Sequence, residues 1–124
     1  MSNKYDIVID QGSTYEMSLI VKDSSGNPMN LNGYHAAMQL RSSYGAANPA
    51  VSLSTETSGI TIDVPSSTIN VTITAAETAA IPVDRSNGKP PKTVYVYDFE
   101  LTDNSGKVSK LLYGDATVFG EVTR

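Results

Sequence analysis

The sequence predicts an all-β fold: one domain, residues 1–124, built as an antiparallel β-sandwich of about eight or nine strands. Apolar and polar residues alternate along most of the chain, which is typical of strands with one buried face. The nine glycines are dispersed, one at each bend. A four-residue motif of Asp, two small polar residues and Gly occurs near each end, at 23–26 and 103–106. Both copies predict hairpin turns, because Asp accepts backbone N–H groups and Gly tolerates positive φ.

The N-terminal part of the chain carries six of the predicted strands. They cover residues 5–10, 14–22, 35–41, 50–54, 60–64 and 68–73. In the last two of these we expect Ile60, Ile62 and Val64 to face the interior with Ile69, Val71 and Ile73. The small, polar residues 42–49 are expected to form a surface loop.

One short helical turn is predicted near residues 75–80. Thr74 and Glu77 have the spacing of a capping box, alanines continue the segment, and Pro82 stops it. Residues 83–92 are the longest structureless and most basic stretch, and we expect a mobile loop there. The most strongly patterned strand follows at 93–102, and its length and aromatic content favour a central position. Strands at 108–113 and 116–122 complete the prediction.

Composition limits the classes of function. The chain has 124 residues, no cysteine and a formal charge of −4 with its charged residues scattered. Disulfides and thiolate metal sites are therefore excluded, and nucleic acid is not an expected partner. No apolar run approaches the roughly 18 to 20 residues of a membrane span, so no membrane partner is expected either.

Few residues could carry catalytic chemistry, and each of them is more simply interpreted as a surface residue. The single histidine, His35, begins a predicted strand and is expected to be a solvated surface residue. Asp98 and Glu100 share one strand face, and we interpret them as an outward acidic face rather than an acid/base pair or a calcium site. No Gly-rich phosphate loop is present. We therefore predict no enzyme, no cofactor and no metal site.

A resemblance covers nearly the whole chain. The residues that carry it are Asp10-Gln11-Gly12-Ser13-Thr14-Tyr15, the stretch 23–34 leading to Ala37-Met38-Gln39-Leu40-Arg41, Leu53-Ser54-Thr55-Glu56, Gly59-Ile60-Thr61-Ile62, Thr78-Ala79-Ala80-Ile81, Tyr97-Asp98-Phe99-Glu100-Leu101, Gly106-Lys107-Val108, Gly114, Val118 and Glu121-Val122-Thr123-Arg124. With these the chain resembles small virion proteins from the tail and baseplate regions of tailed bacteriophages, and it is similar to the N-terminal domain of upper baseplate proteins.

The resemblance implies an immunoglobulin-like β-sandwich that serves as a structural adaptor for a fibre or receptor-binding component. Upper baseplate proteins continue into a coiled coil or a distal domain, whereas this sequence ends at Arg124. The implied partners are other virion proteins, such as tail, baseplate, fibre or neck components, with several copies of the chain around a symmetry axis. The implied location is the virion, after synthesis in the host cytoplasm.

For an adaptor we expect contacts through residues 1–10 and the loops 42–49 and 83–92. The candidate contact residues are Tyr5, Tyr44, Asn48, Arg85, Lys89 and Lys92. The basic ones would meet an acidic partner surface. Two alternatives stay open: a head or neck decoration protein, and a carbohydrate-binding module that recognises host surface glycans through exposed tyrosines and carboxylates. An enzyme ranks behind these.

Overall fold

The structure, a computed structural model, describes residues 3–123. Within them it has nine strands and one short helix. They are β1 (Asn3–Lys4), β2 (Ile7–Asp10), β3 (Tyr15–Ile20), β4 (His35–Arg41), β5 (Val51–Ser54), β6 (Ile60–Asp63), β7 (Thr68–Ile73), α1 (Ala75–Ala79), β8 (Lys92–Thr102) and β9 (Val108–Phe119). The predicted all-β fold is confirmed, as is the position of the single helical turn.

The strands form two sheets. The larger has the order β1-β9-β8-β4-β5, with β2 also paired to β9, and the smaller has the order β3-β7-β6. One part of the prediction is wrong: β1 and β2 run parallel to β9, with Ile7 opposite Ala116. The reason is that the chain crosses to the smaller sheet after β2, so β2 and β3 do not form a hairpin. Strand β2 instead lies beside β9 with the same chain direction.

The core lies between the sheets. Strand β8 is central in the larger sheet, as predicted, and its inner face is buried at Tyr95, Tyr97, Phe99 and Leu101. The smaller sheet contributes Ile69, Val71 and Ile73 from β7. Val64 does not face the interior. It is exposed because β6 ends at Asp63 and the chain turns there.

The predicted strands 108–113 and 116–122 are in fact one strand, β9. It continues through Gly114, against which the break between β1 and β2 packs closely. A Cβ added at Gly114 would lie 2.8 Å from the carbonyl oxygen of Tyr5. Asp6 fastens this contact, since its Oδ1 accepts a hydrogen bond from the amide of Asp115 at 3.0 Å. Glycine at position 114 is thus what lets the N-terminal segment dock.

Both Asp turns form as predicted. Asp103 Oδ1 accepts from the amides of Ser105 and Lys107, both at 2.9 Å, and the turn joins β8 to β9. In the same way, Asp23 Oδ1 accepts from the amides of Ser25 and Asn27, at 2.9 and 3.0 Å. The Ser105 hydroxyl, with the Lys107 and Ser105 amides, lowers the pKa of Asp103. The two turns lie at the same end of the molecule and line one cleft of about 460 Å³.

The helix α1 begins with the predicted capping box. The Glu77 amide donates to Thr74 Oγ1 at 3.2 Å, and the Thr74 amide donates to Glu77 Oε1 at 3.0 Å. Thr78 is fully buried. Its hydroxyl donates to the Ser13 carbonyl at 2.9 Å and accepts from the Gly12 amide at 3.0 Å. The helix is therefore tied to the point where the chain crosses between the sheets.

Candidate protein-binding surfaces

The candidate contact residues lie in two regions. Strand β4 ends at Arg41, which pairs with Val96 shortly after β8 begins at Lys92. Loops 42–49 and 83–92 therefore emerge at the same end of the larger sheet, and we call this end the loop end. It holds all the candidates except Tyr5. Of the expected contact segment 1–10, residues 1 and 2 lie outside the described residues.

Loop 83–92 is held at several points. The Arg85 guanidinium donates to Gln11 Oε1 and, at 2.9 Å, to the carbonyl of Glu121. Asn87 donates to the Lys92 carbonyl at 2.7 Å and accepts from the Lys92 amide at 2.9 Å. Arg85 is thus engaged within the chain. Lys89 and Lys92 are exposed, although Lys92 is already the first residue of β8 rather than part of the loop.

Gln11 organises the loop end, a role that was not apparent from the sequence. Its side chain is buried. The Nε2 donates to the carbonyls of Ile81 at 2.9 Å and Ala79 at 3.3 Å, and the Oε1 accepts from Arg85 and from the Glu121 amide. All of these partners are far from Gln11 in the chain, so no local pattern could have marked it.

A broad depression of about 650 Å³ lies beside loop 83–92. It is lined by Arg85, Lys89, Pro90, Pro91, Gly120, Glu121 and Val122. Val122 is almost fully exposed. Apolar surface next to cationic side chains can take up a partner segment that carries both apolar and acidic residues.

Tyr44 borders a second, smaller cleft of about 230 Å³ on the outer face of the larger sheet. The cleft is also lined by Gln39, Arg41, Val96, Tyr97, Asp98 and Glu100. Tyr44 is 73% exposed. Arg41 donates to the Ala46 carbonyl at 2.8 Å and so fixes loop 42–49 over the sheet. Asn48 is exposed in the same loop and is not among the lining residues.

The acidic pair lies on the outer face of the sheet, as interpreted from the sequence. Asp98 and Glu100 are half-buried there, and Asp98 forms an ion pair with Lys110 at 3.4 Å. His35 is exposed at the start of β4, also as predicted. Within residues 3–123, no group of three or more His, Asp or Glu side chains is placed to hold a metal ion. None of the helices there is long and apolar enough to cross a membrane.

Tyr5 lies beside the middle of β9, where β1 gives way to β2. Its side chain is 52% exposed, while its carbonyl oxygen accepts a hydrogen bond from the hydroxyl of Tyr97. Burial raises the pKa of Tyr97, and the neighbouring Tyr15, Tyr5 and Asp6 raise it further. The Tyr97 hydroxyl is therefore a neutral hydrogen-bond donor that anchors the N-terminal segment.

Open strand edges on the side of the molecule are a feature that the sequence did not reveal. Strand β3 pairs only with β7 among the described strands, and β2 only with β9. Both of these edges carry an exposed apolar side chain: Ile20 in β3 is 65% exposed and Val8 in β2 is 57% exposed. Alternation predicts strands but not their order in a sheet, so edges cannot be located from it. Exposed edges are sites where another strand can be added.

Neither a protein-family model nor a curated protein sequence matches this chain.

Proposed function

We propose that this chain is a structural protein of a tailed-bacteriophage virion, an immunoglobulin-like adaptor that joins tail, baseplate or fibre components through protein contacts. The observation that carries the proposal is the loop end. Two loops, 42–49 and 83–92, converge there beside the depression that contains Lys89 and Val122. The assignment to a virion rests on the sequence resemblance described above.

Charge favours an acidic partner at the loop end. The chain as a whole has a formal charge of −4, yet Lys89 and Lys92 are exposed together at this end. Exposed lysines on an acidic molecule steer this end towards an acidic partner surface. The internal hydrogen bonds of Arg85 and Asn87 hold the loop in place beforehand, which reduces the entropy lost on binding.

The test is the protein content of purified phage particles. Mass spectrometry should find this chain in particles at a fixed ratio to the tail proteins. A Lys89→Glu/Lys92→Glu variant should be incorporated poorly. The control Lys107→Glu changes an exposed lysine at the opposite end of the molecule and should be incorporated normally. Absence of the wild-type chain from particles, or equal incorporation of all variants, would contradict the proposal.

The Tyr44 cleft supports one alternative, a glycan-binding module. An exposed tyrosine ring beside amide and carboxylate groups is the combination that stacks on a sugar ring and hydrogen-bonds its hydroxyls. Here Tyr44 stands beside Gln39, Asp98 and Glu100. Binding of the purified chain to a glycan array, lost in Tyr44→Ala and retained in Tyr5→Ala, would support this alternative. A blank array would leave the adaptor function as the sole proposal.

A further inference from the structure

The outer edge of β3 is regular enough to specify its partner. The amide of Val21 donates to the carbonyl of Ser67 at 2.9 Å, continuing the register in which Leu19 lies opposite Ile69. Hydrogen-bonded residues alternate along an antiparallel strand. Residues 15, 17 and 19 therefore bond to β7, and Val21 bonds on the same side, with its amide to Ser67 and its carbonyl to the Met29 amide. The N–H and C=O groups of residues 16, 18, 20 and 22 point to the open edge.

The side chains along this edge are complementary to themselves. Glu16 stands near one end, Lys22 at the other, and Ser18 and Ile20 lie between them, all four exposed. Consider a second copy of this strand placed antiparallel to the first, with Leu19 opposite Leu19. Glu16 of each copy then lies opposite Lys22 of the other copy. Ser18 lies opposite Ile20. If the second strand is shifted by two residues in either direction, Glu16 no longer lies opposite Lys22.

We propose that two copies of this chain pair through β3 in that register, about a two-fold axis at Leu19. The two three-stranded sheets then join into one six-stranded sheet with an ion pair at each end of the seam. This inference deepens the proposed function, since it rests on the expectation that the adaptor works in several copies, and it names the surface that joins them.

Apolar surface at the edge supports the same pairing. A cleft of about 240 Å³ opens there and is lined by Asn3, Leu19, Ile20, Val21, Lys22, Leu111 and Leu112. At the axis, Leu19 of the second copy comes within side-chain contact of Leu19, at the mouth of this cleft. On the outer face, the two Ile20 side chains become diagonal neighbours and shield each other from water.

Charge exchange gives the first test, by sedimentation velocity of the purified full chain over a range of concentrations. The wild-type chain should dimerise. Glu16→Lys and Lys22→Glu should each weaken the dimer about tenfold, because each replaces two opposite-charge pairs by like-charge pairs. The double variant should restore it. Glu56→Lys makes the same charge change as Glu16→Lys away from the edge and should have no effect.

A cysteine variant tests the register. The chain has no cysteine, so Leu19→Cys introduces the only thiol. In this register Leu19 and its copy form a non-hydrogen-bonded pair. The Cα atoms of such a pair lie about 4.5 Å apart, within reach of a disulfide. Oxidised Leu19→Cys should become a covalent dimer, and the control Met17→Cys should not.

A wild-type chain that stays monomeric, or a double charge variant that stays weak, would overturn the pairing. So would equal cross-linking of the two cysteine variants. Incorporation into particles tests the proposed function separately from the association of the purified chain. Either result can therefore fail alone, and the two failures are distinguishable.

Discussion

Replacing Gln11 by leucine should loosen the loop end more than any other single change of an uncharged side chain there. Leucine keeps the approximate size and the burial of the side chain but removes its amide. The carbonyls of Ala79 and Ile81 then lose a donor, and Arg85 and the Glu121 amide lose an acceptor. Four hydrogen bonds in three separate segments depend on this one group.

The magnitude follows from the geometry of those bonds. The bond to Ile81 at 2.9 Å is worth about 1 kcal/mol net, the two at 3.3 Å less, and the charge-assisted bond to Arg85 about 1.5 to 3 kcal/mol. We expect Gln11→Leu to lower the free energy of unfolding by about 3 to 4 kcal/mol, which a domain with about 5 to 15 kcal/mol of stability tolerates.

Urea unfolding and hydrogen exchange measure the two consequences. The midpoint should fall, and amides in residues 83–92 and 119–123 should exchange faster while those of β8 stay protected. Arg85→Met removes the two guanidinium bonds but leaves the Gln11 side chain bonded to Ala79, Ile81 and Glu121, and because Arg85 is exposed this variant should cost less than Gln11→Leu. A loss below about 1 kcal/mol for Gln11→Leu, or unchanged exchange in loop 83–92, would refute the idea that Gln11 organises the loop end.

Three further predictions concern the fold around the candidate surfaces. Gly114→Ala should release the N-terminal segment, because the new Cβ meets the carbonyl of Tyr5; faster hydrogen exchange in residues 3–10 alone would show it, and unchanged exchange would contradict it. Phe99→Ala should lower the free energy of unfolding in urea by about 3 to 5 kcal/mol, since Phe99 is fully buried at the centre of β8; a loss below about 1 kcal/mol would mean that the site repacks. The lowered pKa of Asp103 stabilises the fold above the ordinary carboxyl range, and this contribution is lost as pH falls through the folded-state pKa. The stability advantage of the wild type over Asp103→Asn in urea should therefore shrink between about pH 5 and pH 2, and an advantage independent of pH would argue against it.

Local signals account for the features that the sequence predicted well. The capping box at Thr74 and Glu77 and the turn at Asp103 are complete within a few residues, so their hydrogen bonds can be anticipated from residue spacing alone. The buried face of β8 follows in the same way, because alternation over a whole strand reports which side meets the core.

Long-range pairing accounts for what could not be predicted. Gln11 looks like a strand break, and only the fold brings Ile81 and Arg85 to its amide. Gly114 looks like the end of a strand, and only the parallel docking of Tyr5 explains why the strand continues through a glycine. The open edge of β3 is likewise invisible, since the same alternation would be found in a central strand.

The two proposed contact surfaces have a consequence when taken together. Loops 42–49 and 83–92 lie near the beginning of β3, where Gln11 precedes the strand, and the Asp23 turn follows its end. Pairing of two β3 strands in antiparallel orientation reverses the second copy along the strand direction. The two loop ends would then face opposite ways. A pair of chains would thus present two basic binding ends on opposite sides of one continuous sheet, a geometry that connects two separate partners rather than gripping one.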